Sequence, residues 1–249
     1  MLTSSRFISP QSPRVFDRGA TPYRILSLAL IAGLTLTLGQ AAPPPDYLRT
    51  ALAAFNPAVP SGWAYTQITT QNKITITERY DPAKPAAEQW TLLQNNGQPP
   101  TAKDLSQYLP FKAAQASSLT QTVFAPSDIE PASLELLREN ALRAVYTGRF
   151  RAAATASDKM LGHLQLELTV NKQHRQIERI TLSLLAPYSP VIGVKMNELT
   201  VTMNFTLATA DQPSLPSTRS SHFSGRILFF ANEENVDVNY DAYYRAPPR

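Results

Sequence analysis

Alternation with a period of two, repeated through the second half of the chain, narrows the fold more than any other feature. Leu199, Val201, Met203, Phe205 and Leu207 stand at every second position, with polar Thr200, Thr202, Asn204 and Thr206 between them. Leu164, Leu166, Leu168 and Val170 repeat the pattern against Gln165, Glu167 and Thr169. Neighbouring side chains of a strand point to opposite faces, so these runs build a sheet with one apolar and one wetted face. That arrangement belongs to antiparallel sheets, and the apolar face must be covered.

The other elements follow from the same patterns. Asp46 is placed to cap a helix carrying Leu48, Ala51, Leu52 and Phe55 on one face, ended by Asn56-Pro57. A three-stranded start is expected from Trp63–Gln67, Lys73–Thr77 and Glu88–Gln94, with a turn at Asn96-Gly97. Thr101 to Asp104 fits a capping box, and Pro110 should stop the helix that follows. Pro131, Leu134, Leu137 and Ala141 predict another helix. Strands are expected over 142–151, 164–170, 177–185 and 199–207. A last hairpin is expected from 223–230 and 235–240, turning at Asn232-Glu233-Glu234. The expected class is α+β, mainly antiparallel β. Eight or nine strands would form a curved, unclosed-barrel-like sheet covered by about three helices.

Residues 1–41 read as a signal peptide. Arg24 precedes the uncharged run Ile25–Leu38, and Gly39 and Ala41 fit the small-residue positions before a cut after Ala41. At about 14 residues the run is shorter than the roughly 20 needed to span a bilayer. An uncleaved N-terminal anchor is the alternative. Pro43-Pro44-Pro45 completes a spacer over 42–45, and residues 46–249 form one domain. The destination is outside the cytoplasm, the periplasm first, with no transmembrane span in the mature chain.

The net charge of +4 is concentrated in that leader. Four of the 23 Lys and Arg and one of the 19 Asp and Glu precede residue 42, so the body holds 19 cations against 18 anions. A nearly neutral body is not that of a nucleic-acid binder. Without cysteine, no disulfide or thiolate metal site can form.

No catalytic, cofactor-binding or metal-ligating residue is assigned. His163, His174 and His222 have no ligand spacing, and neither a nucleophile elbow nor a phosphate loop is found. Glu233-Glu234 falls in the expected hairpin loop, and Glu78 and Glu167 are placed on polar strand faces. The aromatic and flexible residues Trp63, Tyr65, Trp90, Met203 and Phe205 are core residues or the lining of an apolar cavity. Arg143, Arg149 and Arg151 alternate on one expected strand, as a solvated face or a cationic rim.

Helix, three strands, helices and a second run of strands is an order similar to that of the periplasmic lipoprotein carriers of the LolA/LolB type. The stretch Tyr80-Asp81-Pro82, Pro85, Trp90-Thr91-Leu92-Leu93, Gly97 and Pro100-Thr101 resembles one in exported bacterial proteins. The carrier resemblance implies an unclosed barrel, helices across it, and an apolar cavity for acyl chains. No functional residue of the carriers maps onto this sequence. The first expectation is therefore a non-enzymatic protein with a lipid, a lipoprotein acyl chain or another apolar ligand between sheet and helices. A solid-cored envelope protein with a protein partner is the second. A hydrolase with a dispersed site is the third.

Overall fold

The computed structural model describes residues 43–116 and 124–247. The expected signal peptide lies outside the described residues. Three α-helices and ten strands follow one another: α1 (Asp46–Ala54), β1 (Trp63–Gln71), β2 (Ile74–Tyr80), β3 (Trp90–Asn95), α2 (Ala102–Ala116), β4 (Glu135–Glu139), β5 (Arg143–Gly148), α3 (Ala152–Ser157), β6 (Leu164–Asn171), β7 (Gln176–Leu184), β8 (Val194–Phe205), β9 (Pro216–Ile227) and β10 (Phe230–Arg245).

All ten strands form one antiparallel sheet in the order β3-β2-β1-β10-β9-β8-β7-β6-β5-β4. The sheet is not closed, and β3 and β4 are its edges. Neighbours are consecutive in sequence except β1 and β10, where Trp63 lies opposite Arg245. The short hairpin turns carry the positive φ such turns need: Asn72 and Lys73 between β1 and β2, and Asn96 and Gly97 after β3.

Directly paired residues share a face, so the faces can be followed across the sheet. Tyr146 pairs with Leu168, Leu168 with Ile180, and Ile180 with Met203. Met203 pairs with Arg219, Arg219 with Val238, Val238 with Thr69, and Thr69 with Ile76. On this inner face, Leu166, Leu168, Val170 and Ile180 are 0% exposed. Each contributes roughly 1.5–3 kcal/mol by burial. From α1 and the residue after it, Leu48, Ala51 and Phe55 join the same core. Tyr108 and Lys112 of α2 reach the inner face at Glu78 and Trp90. The outer face is a field of Thr, Ser and Asn, tied by bonds such as Asn204 to Thr218 at 2.7 Å and Arg179 to Asn204 at 2.7 Å.

The α+β class and the open, mainly antiparallel sheet agree with expectation; several local assignments do not. Asp46 lies inside the first turn of α1 and pairs with Arg49 at 2.6 Å, while Pro45 precedes the helix without a side-chain cap. The Thr101–Asp104 box forms, with Asp104 N–H donating to Thr101 Oγ1 at 3.2 Å and Thr101 N–H to Asp104 Oδ2 at 2.7 Å. Pro110 does not stop α2, which runs on to Ala116. The helix expected after Pro131 is a single 3-10 turn over Pro131–Ser133, and the chain then extends into β4. Pairing with β5 decides that segment over helical spacing, and Leu136 and Leu137 end 49% and 50% exposed on either side of an edge strand. The third helix is α3 instead. The last hairpin turns at Leu228-Phe229, so Asn232, Glu233 and Glu234 lie within β10.

Candidate functional site

The inner face is sealed at one end and less deeply buried in the middle. On β6, Leu164, Leu166, Leu168 and Val170 are at most 2% exposed. Across β8, β9, β10 and β1 the same face carries Leu199, Met203, Arg219, Ser221, Phe223, Val236, Gln67 and Thr69, all half-buried, with Val201 and Val238 between them at 9% and 7% exposed. Strands about 4.8 Å apart make this strip roughly 14 Å wide from β8 to β1. Leu199, Met203, Phe223 and Val236 make its floor largely apolar. Arg219 lies within electrostatic reach of the Tyr240 phenol.

A five-ring aromatic cluster bounds the strip on the β1–β3 side. Tyr65 contacts Tyr80, Trp90, Tyr240 and Tyr243 at centroid separations of 5.3, 5.9, 5.8 and 5.7 Å. Burial, and then the neighbouring phenols, push the Tyr65 and Tyr243 hydroxyls well above the usual phenol range. They stay protonated.

Beside these rings lies a buried ion pair. Glu78, 2% exposed, accepts from Lys112 Nζ at 2.7 Å. The Lys112 ammonium also lies 3.9 Å from the centre of the Trp90 ring. Gln67 Nε2 donates to the same carboxylate at 3.5 Å. Glu78 Oε1 and the Tyr108 hydroxyl meet hydrogen-bond geometry with no described residue, yet burial first and the Glu78 charge second raise the Tyr108 phenol. The ion pair fixes α2 on β2 and β3.

The structure divides the five residues expected to line a cavity. Met203 and Phe205 sit on β8, Met203 on the strip and Phe205 buried against Phe55 with ring centres 5.1 Å apart. Tyr65 and Trp90 belong to the aromatic cluster that runs from β10 to β3, and Trp63, half-buried, opens β1 opposite Arg245. They flank the strip from two sides. The three arginines do not share a strand. Arg143 opens β5 and binds Glu178, whereas Arg149 and Arg151 lie past its end. Arg151 Nε donates to the Ile129 carbonyl at 2.9 Å and precedes α3.

Glu78 is the residue the sequence reading placed wrongly. The strand Ile74–Tyr80 reads as alternating, but its faces cannot be told apart while Thr and Glu stand among Ile and Tyr. The partner that makes burial tolerable is 34 residues away. Two surface clefts lie elsewhere: about 300 Å³ among Ser61, Gly62, Pro82, Ala83, Arg245 and Ala246, and about 360 Å³ among Thr70, Asn72, Lys73, Asn235 and Asp237. Among the described residues no cluster of three or more His, Asp or Glu could hold a metal ion, and no helix is long and apolar enough to cross a membrane.

No protein-family model matches the chain, and no curated protein matches it. Among solved structures, an isomerase-inactive variant of GphF DH1 aligns over 81% of this chain and 80% of that one, at 10% identity and a TM-score of 0.11. A score that low carries no argument about fold or activity.

Proposed function

We propose that the protein is an exported, non-enzymatic binding protein of the cell envelope that holds one apolar chain, the acyl chain of a lipid or lipoprotein, across the open strip of the inner face. The observation that carries this reading is the contrast in burial on a single face. Leu199, Met203, Phe223 and Val236 are half-buried while the β6 residues on that face are at most 2% exposed. Apolar floor that the described residues leave half-exposed gains free energy when a hydrocarbon covers it. Met203 can adapt its rotamers to an irregular chain, and Arg219 suits an acidic headgroup near the strip. The leader-like run Ile25–Leu38 and the LolA/LolB-like element order support export and a carrier role.

Native mass spectrometry of protein purified from a periplasm without detergent tests the proposal. One lipid mass per chain is expected, and Val236→Trp, which fills the strip, should remove it. A bare mass that stays unchanged after incubation with phospholipid and fatty acid overturns the reading.

A further inference from the structure

One end of the sheet carries apolar side chains where solvent would favour polar ones. At the β9–β10 turn, Leu228, Phe229 and Phe230 are 66%, 89% and 75% exposed, and Ile227 is 47% exposed. The neighbouring β7–β8 connection adds Val191 at 60% and Ile192 fully exposed. The two tips form one patch, because the Leu228 N–H donates to the Gly193 carbonyl at 2.5 Å and Val194 pairs with Ile227. The turn is also built from the wrong residues for stability alone. Leu228 has φ +55°, a conformation that favours glycine at the first position of a two-residue turn. A leucine there accepts backbone strain to present a large side chain to solvent.

Charge is layered behind this tip. Lys195 and Arg226 pair directly, one residue behind Val194 and Ile227, and both are exposed. Neither makes an ion pair with a described residue. The nearest carboxylates on these strands, Glu198 and Glu233, both lie opposite Ser224. Ser224 is three residues behind Ile227, or roughly 10 Å. Apolar tip, cations, then anions is the order in which a bilayer presents hydrocarbon, acidic headgroups and water. A protein partner would need no such depth ordering.

We propose that the paired tips Val191–Ile192 and Ile227–Phe230 insert shallowly into a bilayer carrying anionic lipid, with Lys195 and Arg226 at headgroup level. This inference does not depend on what the inner face holds. The absence of cysteine allows a single polarity-sensitive fluorophore to be placed on the full chain at Phe229→Cys, with Ser220→Cys on the outer face of β9 as the control. Vesicles of phosphatidylglycerol and phosphatidylethanolamine should blue-shift the label at 229 and leave the one at 220 unchanged. High salt or phosphatidylcholine vesicles should weaken the response. Leu228→Gly with Phe229→Asn gives the turn the residues it favours, so its melting temperature should hold or rise. In that variant, partitioning of an otherwise equivalent label at Ile192→Cys should fall at least about tenfold. No shift at 229 with any vesicle overturns the proposal. A shift that grows with protein concentration in the absence of lipid also overturns it, in favour of a second copy of this chain on the patch.

Discussion

Lys112→Met isolates what the buried ion pair does. Met is close to Lys in length and keeps the aliphatic packing, so the change removes the charge. The side chains of Lys112 and Glu78 are 12% and 3% exposed, and removing one partner of such a pair costs about 3–5 kcal/mol because the other charge stays buried alone. The lost contact with the Trp90 face adds roughly 0.5–2 kcal/mol. Against a usual stability of about 5–15 kcal/mol this is a large fraction, and a fall in Tm of about 7–28 °C follows. Adding Glu78→Leu removes the stranded charge and should restore most of the stability. Urea unfolding followed by circular dichroism measures both variants. A Lys112→Met variant as stable as the parent, or a double variant as unstable as the sum of the single ones, refutes the account.

Two further predictions rest on single contacts. Gly225 sits in β9 opposite the β8 bulge, and a Cβ there would run into the Lys195 backbone carbonyl and the Phe223 ring. Gly225→Ala should cost about 2–3 kcal/mol by urea unfolding, whereas at Gly148 a Cβ crowds the movable end of the Leu134 side chain and meets Ser133 Oγ at 3.4 Å, and Gly148→Ala should cost under about 1 kcal/mol. Burial works against the charge of Glu178, but hydrogen bonds from Arg143 and Asn171 outweigh it and hold the carboxyl below the usual range. Its contribution is present above the unfolded-state value and lost as pH falls through the folded one, so Glu178→Gln should shallow the acid limb of a stability–pH profile.

The sheet was legible in the sequence because its inner face is coded locally: Leu164 to Val170 and Leu199 to Phe205 alternate without interruption. Pairing partners were not, because nothing near Trp63 names Arg245. Edge strand β4 was hidden by Leu134, Leu137 and Ala141, whose helical spacing is accidental once β5 supplies hydrogen bonds. The turn of the last hairpin was misplaced for a different reason. Asn232-Glu233-Glu234 has the composition of a turn and Leu228-Phe229 that of a strand, so the rule fails where exposure of bulky residues is itself the feature. The candidate site was half legible. Its aromatic and Met residues were named, but their separation by β9 and β10, and the burial of Glu78, arise only from long-range packing.

The strand order has a consequence for how the chain reaches its fold. Read as a circle, β4 through β10 followed by β1, β2 and β3 is an uninterrupted up-and-down series. The linear chain cuts that circle at the β10–β1 seam and bridges it at β3–β4, where nothing pairs. Every contact across the seam therefore joins distant stretches, and the first three strands have no neighbour on one side until the last strand exists. A permuted chain with linked ends, opened between Asn95 and Glu135, would make every strand pairing sequential and fold faster at similar stability.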